Sequence, residues 1–204
     1  MQKIIKSGKS LDQAEKVLIM VHGRGGSAQD ILSLAADLNV DTFALIAPQA
    51  PGNSWYPQSF LAPRSENEPS LSNSLKVLKD IVTDLEKEGI AKSQIYFLGF
   101  SQGACLSLEF VASHAAGYGG VVAFTGGVIG AHIDHRNYHG DFDGTRIFIG
   151  SSDPDFHVPV ERVQETTALL EGMGASVTEI IYQNMGHTIS RAEIDQANKL
   201  IFND

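Results

Sequence analysis

The chain alternates between short, wholly apolar runs and longer stretches whose apolar residues recur every three or four positions. Residues 17–21 (Val-Leu-Ile-Met-Val) form the first run, with no polar residue to face water, so it reads as a strand buried on both faces. Runs of the same kind are expected to form strands at 43–47, 95–98, 121–124, 146–149 and 177–182. Between them, Ile31, Leu34, Ala35 and Leu38 follow helical spacing, and Ser27 with Asp30 resembles a capping box. Leu71, Leu75, Leu78, Ile81 or Val82, and Leu85 mark one face of a long amphipathic helix that Gly89 ends. Residues 104–116 and 159–170 read as helices, and Ser190 with Glu193 caps another that bears Ile194, Ala197 and Leu200. This alternation predicts an α/β fold with a mainly parallel central sheet, helices on both faces and right-handed crossovers. Residues 48–69 show no periodicity, and an unstructured connection of that length usually covers a functional site.

Composition narrows this picture. A chain of 204 residues with 43% hydrophobic and 19% charged residues suits one soluble domain spanning 1–204, with no internal repeat or low-complexity break. The formal charge of −9 and the scattering of its fifteen Lys and Arg residues argue against nucleic acid and anionic membrane surfaces as partners. No apolar stretch is long enough for a signal peptide or a membrane span, so a cytoplasmic protein without stable membrane insertion is expected. A single cysteine, Cys105, leaves no intrachain disulfide and no Cys-rich metal site; in its apolar setting it reads as a small core residue.

The candidate chemistry centres on Gly99-Phe100-Ser101-Gln102-Gly103, set between a strand and a helix. A turn tight enough to lift Ser101 clear of the strand brings backbone so close that only glycine fits at 99 and 103, the geometry of a nucleophile elbow. The helix that follows directs free N–H groups toward the serine, so the main-chain N–H of Gln102 is placed to stabilise an oxyanion. A serine hydroxyl needs a base, and the base needs an orienting group. His187, in Asn184-Met185-Gly186-His187 after the last strand, stands at the same sheet edge as Ser101. The acid is expected between them, in Gly150-Ser151-Ser152-Asp153-Pro154-Asp155. Asp153 is preferred because it stands closer to the strand end, with Asp155 the alternative. Trp55 and Tyr56, with Phe60 and Leu61, either line a substrate pocket over the serine or pin the loop to the body. His132, His135 and His139 lie among Asp134, Asp141 and Asp143 but look like an irregular surface loop, so no metal site is assigned.

Together GFSQGA, HGRGG, GSSDPDFHVP and NMGHTI resemble the phospholipase/carboxylesterase family of α/β-hydrolases, which includes the acyl-protein thioesterases. The resemblance covers nearly the whole chain. It implies an α/β-hydrolase fold, a cofactor-independent ester or thioester hydrolase acting on a small-molecule substrate, Ser101 as nucleophile, His187 as general base and acid, and Asp153 as the orienting carboxylate. It also implies an oxyanion hole made by the main-chain N–H groups of Arg24 and Gln102. Two departures stand out. Family members commonly carry an aliphatic residue where this chain has Arg24, and they commonly place two residues between the acid and Val-Pro. Here Asp153 keeps the spacing from the preceding glycine, while Asp155 keeps the spacing to Val158-Pro159. Arg24 either recognises an anionic group on the substrate or pairs with a nearby acid such as Asp30. A competing reading is a protein that keeps the fold but uses the serine site only to hold a small ligand.

Overall fold

The computed structural model describes residues 3–203; Met1, Gln2 and Asp204, which the single-domain expectation for 1–204 includes, lie outside the described residues. The frame is a seven-stranded sheet of β1 (Ile4–Gly8), β2 (Lys16–Val21), β3 (Phe43–Pro48), β4 (Ile95–Phe100), β5 (Gly120–Phe124), β6 (Arg146–Asp153) and β7 (Ser176–Gln183). Strands lie in the order β1-β3-β2-β4-β5-β6-β7, with β1 antiparallel to β3 and every other pair parallel. The helices are α1 (Ala28–Ser33), α2 (Arg64–Asn67), α3 (Ser70–Lys87), α4 (Gln102–Ser113), α5 (Val160–Gly172) and α6 (Arg191–Leu200).

Successive strand side chains point to opposite faces, and the apolar runs fill both. Val17, Ile19 and Val21 of β2 pack in one core with Leu78 and Ile81 of α3, Leu108 of α4 and Val163 of α5. Leu18 and Met20 point the other way, into a second core with Ile31 and Leu32 of α1 and Ile194 and Ala197 of α6. At roughly 1.5–3 kcal/mol for each fully buried aliphatic side chain, these two layers are what hold the strand ends rigid enough to carry a site.

Local signals act as their chemistry requires. Ser27 with Asp30 and Ser190 with Glu193 each form a complete capping box at the start of α1 and α6. Gly89, at φ +87°, ends α3, and the Ile90 N–H donates to the Leu85 carbonyl at 3.0 Å, satisfying one of the last free carbonyls. Four features depart from expectation. Within 48–69, read as an unstructured connection, residues 64–67 form α2. The edge strand β1 has no expected counterpart, since four of its five residues are exposed and no alternation marks it. The serine helix begins at Gln102 and ends at Ser113 instead of spanning 104–116. Finally, β6 does not stop at residue 149: it stays in register with β7 through Ser152↔Tyr182 and Asp153↔Gln183.

Candidate active site

The elbow is built by close backbone approach. Ser101 has φ +53° and ψ −119°, a conformation rare for any residue but glycine, and such strain costs on the order of 1–3 kcal/mol. Surrounding structure imposes it: the Ser101 N–H donates to the Phe124 carbonyl at 2.9 Å, and the Ser101 carbonyl accepts from the Cys105 N–H at 2.9 Å. A Cβ at Gly99 would lie 2.4 Å from the Gly103 carbonyl oxygen, and one at Gly103 only 2.1 Å from that of Val21. Both glycines are therefore steric requirements of the turn.

His187 comes to the serine on the loop after β7. Its Nε2 lies 2.8 Å from Ser101 Oγ, and its Nδ1 lies 2.7 Å from Asp155 Oδ2. The ring packs against Phe100, with centroids 5.3 Å apart, and against His157 at 4.8 Å. Ser152, which sequence reasoning passed over, ties this loop to β6, its Oγ accepting from the Gly186 N–H at 2.9 Å.

The acid beside His187 is Asp155, not the preferred Asp153. Because β6 runs on to Asp153, that residue still belongs to the ladder; among the described residues its exposed side chain accepts a hydrogen bond only from Gln183 Nε2, at 3.5 Å. Two residues on, the chain has left the sheet and can turn back. Asp155 Oδ1 accepts from the N–H groups of His157 and Val158 at 2.7 and 2.9 Å, which aims Oδ2 at the imidazole. Burial works to raise the Asp155 pKa, but these N–H groups and His187 outweigh it and hold the carboxyl below its ordinary value.

The main-chain N–H groups of Arg24 and Gln102 face no main-chain acceptor among the described residues. Gln102 is the first residue of α4, where an N–H has no partner within the helix. A hydroxyl in contact with an imidazole, which is in turn in contact with a carboxylate, is an arrangement suited to nucleophilic catalysis. The sequence matches the description Phospholipase/Carboxylesterase over residues 2–202.

The chain belongs to the phospholipase/carboxylesterase family.

A phospholipase/carboxylesterase of Dyadobacter fermentans DSM 18053, known from a crystal structure, is 48% identical and superposes with a TM-score of 0.98 over 100% of this chain and 97% of its own. Mouse lysophospholipase-like protein 1 is 24% identical over 202 residues, covering 90% of this chain and 84% of that protein. The putative hydrolase MhqD of Bacillus subtilis (strain 168) is 25% identical over 202 residues, covering 98% and 96%. The sheet and its flanking helices are the α/β-hydrolase fold of that phospholipase/carboxylesterase family, and the protein is a carboxylesterase-type hydrolase.

In this phospholipase/carboxylesterase a cavity of about 410 Å³ opens on Ser101 and His187, walled by Tyr56, Phe60, Cys105 and Val158. The segment 54–58 forms part of that wall, and side chains grip it from below. Gln102 Oε1 accepts from the Trp55 N–H at 2.9 Å, and its Nε2 donates to the Tyr56 carbonyl at 2.8 Å. Arg24 Nη1 and Nη2 donate to Ser54 Oγ and to the carbonyls of Tyr56, Pro57 and Gln58 at 2.7–3.0 Å. Of the three aromatic residues that could line the pocket or pin the loop, Tyr56 and Phe60 line the cavity, whereas Trp55 is buried behind the wall, donating from Nε1 to the His22 carbonyl at 2.8 Å, so Trp55 pins the loop.

His22 is a second loop-fixing group: Nδ1–H donates to the Gly23 carbonyl and Nε2 accepts from the Ala50 N–H at 3.1 Å. Burial lowers its pKa, which favours this neutral form. Burial also pushes the Cys105 thiol up to about 12, so it is protonated at neutral pH. Among the described residues, no three His, Cys, Asp or Glu side chains lie where they could share a metal ion, and no helix is long and apolar enough to cross a membrane.

Proposed function

We propose that this protein hydrolyses carboxylic esters, thioesters included, through an acyl-enzyme formed on Ser101. His187 takes the hydroxyl proton as Oγ attacks the acyl carbonyl, and returns it to the departing alcohol or thiol. Water then attacks the acyl-enzyme by the same route in reverse. Asp155 fixes the imidazole with Nδ1 protonated and Nε2 toward the serine, and it offsets the positive charge that forms on the ring. The N–H groups of Arg24 and Gln102 receive the oxyanion, stabilisation that is typically worth about 2.7–4 kcal/mol per donor. The observation that carries this reading is the unbroken sequence of contacts from Ser101 Oγ through His187 to Asp155, at 2.8 and 2.7 Å.

A fluorophosphonate probe tests it directly. The wild-type protein should be labelled and lose activity toward a short-chain ester, and Ser101→Ala should do neither. Equal labelling of the two proteins would sink the assignment.

A further inference from the structure

Arg24 differs from four other arginines of the chain in what surrounds it. Arg64 pairs with Glu109, Arg136 with Asp134, Arg162 with Glu165, and Arg191 with Asp37 and Asp195. Arg24 has no carboxylate within ion-pair distance among the described residues, and it borders the cavity that holds Ser101. Asp30, the partner its sequence neighbourhood suggests, is occupied elsewhere, accepting from the Ser27 N–H and hydroxyl at 2.8 Å each.

Every hydrogen bond of the guanidinium goes to a neutral group, Ser54 Oγ or one of three main-chain carbonyls. Those bonds fix the cation in place without cancelling its charge. None of the residues lining the cavity is Asp or Glu, although the chain as a whole carries a formal charge of −9. The acid of the site, Asp155, has its side chain fully enclosed against His187. In an otherwise acidic protein, the place where substrate must sit presents a held cation and no exposed acid.

We propose that the cavity selects esters or thioesters bearing a negative charge, a carboxylate being the simplest case, over neutral esters of equal size. The inference rests on the hydrolase reading and adds a substrate class to it. Four donors are committed to the wall, so Arg24 offers an anion its Nε–H and its unneutralised charge instead of a two-pronged grip. Selection by field has a signature of its own: it weakens as salt is added, the screening length falling from about 30 Å at 0.01 M to about 3 Å at 1 M.

The experiment compares monoethyl adipate with ethyl heptanoate, and a matched pair carrying the carboxylate on the alcohol side, following ester cleavage at rising ionic strength. The wild type should favour the anionic member of at least one pair by about five- to tenfold in kcat/KM at low salt, and the preference should shrink at high salt. Arg24→Gln should bring that ratio close to one, whatever it does to the absolute rates, and Arg24→Lys, which keeps the charge, should restore much of it. Equal turnover of both members in both pairs, or a preference that Arg24→Gln leaves intact, overturns the proposal while leaving ester hydrolysis standing. Cleavage of none of the four esters, together with loss of fluorophosphonate labelling, overturns both.

Discussion

The carboxylate of Asp155 meets the imidazole of His187 at 2.7 Å across 32 positions of sequence, and its second oxygen is held by two main-chain N–H groups. Removing the charge while keeping the shape would leave the ring free to take the wrong tautomer. Asp155→Asn should therefore lower kcat by about 10³–10⁴-fold. Asp153→Asn, which loses only a long contact to Gln183, should stay within about twofold of wild type. Steady-state kinetics on one ester decides between them, and a larger loss at position 153 would refute the assignment.

Gly103→Ala should be damaging for a reason unrelated to chemistry. Its new Cβ would stand 2.1 Å from the Val21 carbonyl and 2.5 Å from that of His22, both main-chain atoms of β2 and the loop that follows it. Overpacking of this kind costs about 1–3 kcal/mol or more, so urea unfolding should show a lowered midpoint. An unchanged midpoint would mean that the elbow is less crowded than described.

Gln102→Ala should affect the cavity wall and stability together. It strands the buried Trp55 N–H, and the desolvation penalty for such a group is about 1–3 kcal/mol. With the grip on Tyr56 also gone, KM should rise more than kcat falls, because the main-chain N–H at 102 is retained. A loss confined to kcat would argue that the side chain acts on the reaction itself.

How much of this was legible in the letters varies with the kind of force involved. The buried strands announce themselves, because a run such as Val17-Leu18-Ile19-Met20-Val21 has no other stable home in water, and the capping boxes at Ser27 and Ser190 are local chemistry. The edge strand β1 is mostly exposed and owes its form to pairing with β3, which no nearby residue signals. The same holds for the end of β6. Gly150-Ser151-Ser152-Asp153 has little intrinsic preference for a strand, and its pairing with Ile180 to Gln183 supplies what propensity does not. That extension is why the acid moved from 153 to 155. The spacing from Asp155 to Val158-Pro159 was the better guide, since the turn back toward His187 is made there. The grip of Arg24 on segment 54–58 was illegible for another reason: three of its four acceptors are main-chain carbonyls, which leave no trace in residue identity.

Cys105 offers a check by pH. Burial raises the folded thiol to about 12 from its ordinary value of 9.0, so between those limits the unfolded chain gives up a proton that the folded chain keeps. The corresponding stability is complete below about pH 9 and is lost as pH climbs toward 12. Wild type should accordingly lose thermal stability in this alkaline window more steeply than Cys105→Ala. At pH 8 the native thiol should also resist iodoacetamide and react only after unfolding. Rapid alkylation of the folded protein would contradict the buried, neutral state.

Trp55 is the single tryptophan of the chain, and it stands directly behind the cavity wall, with its ring 5.0 Å from that of His22. Nature has thereby placed one intrinsic fluorophore where it can sense both the arrival of a ligand and the loosening of segment 54–58. Its emission, free of background from any second indole, gives a label-free signal for following occupancy and acylation in real time.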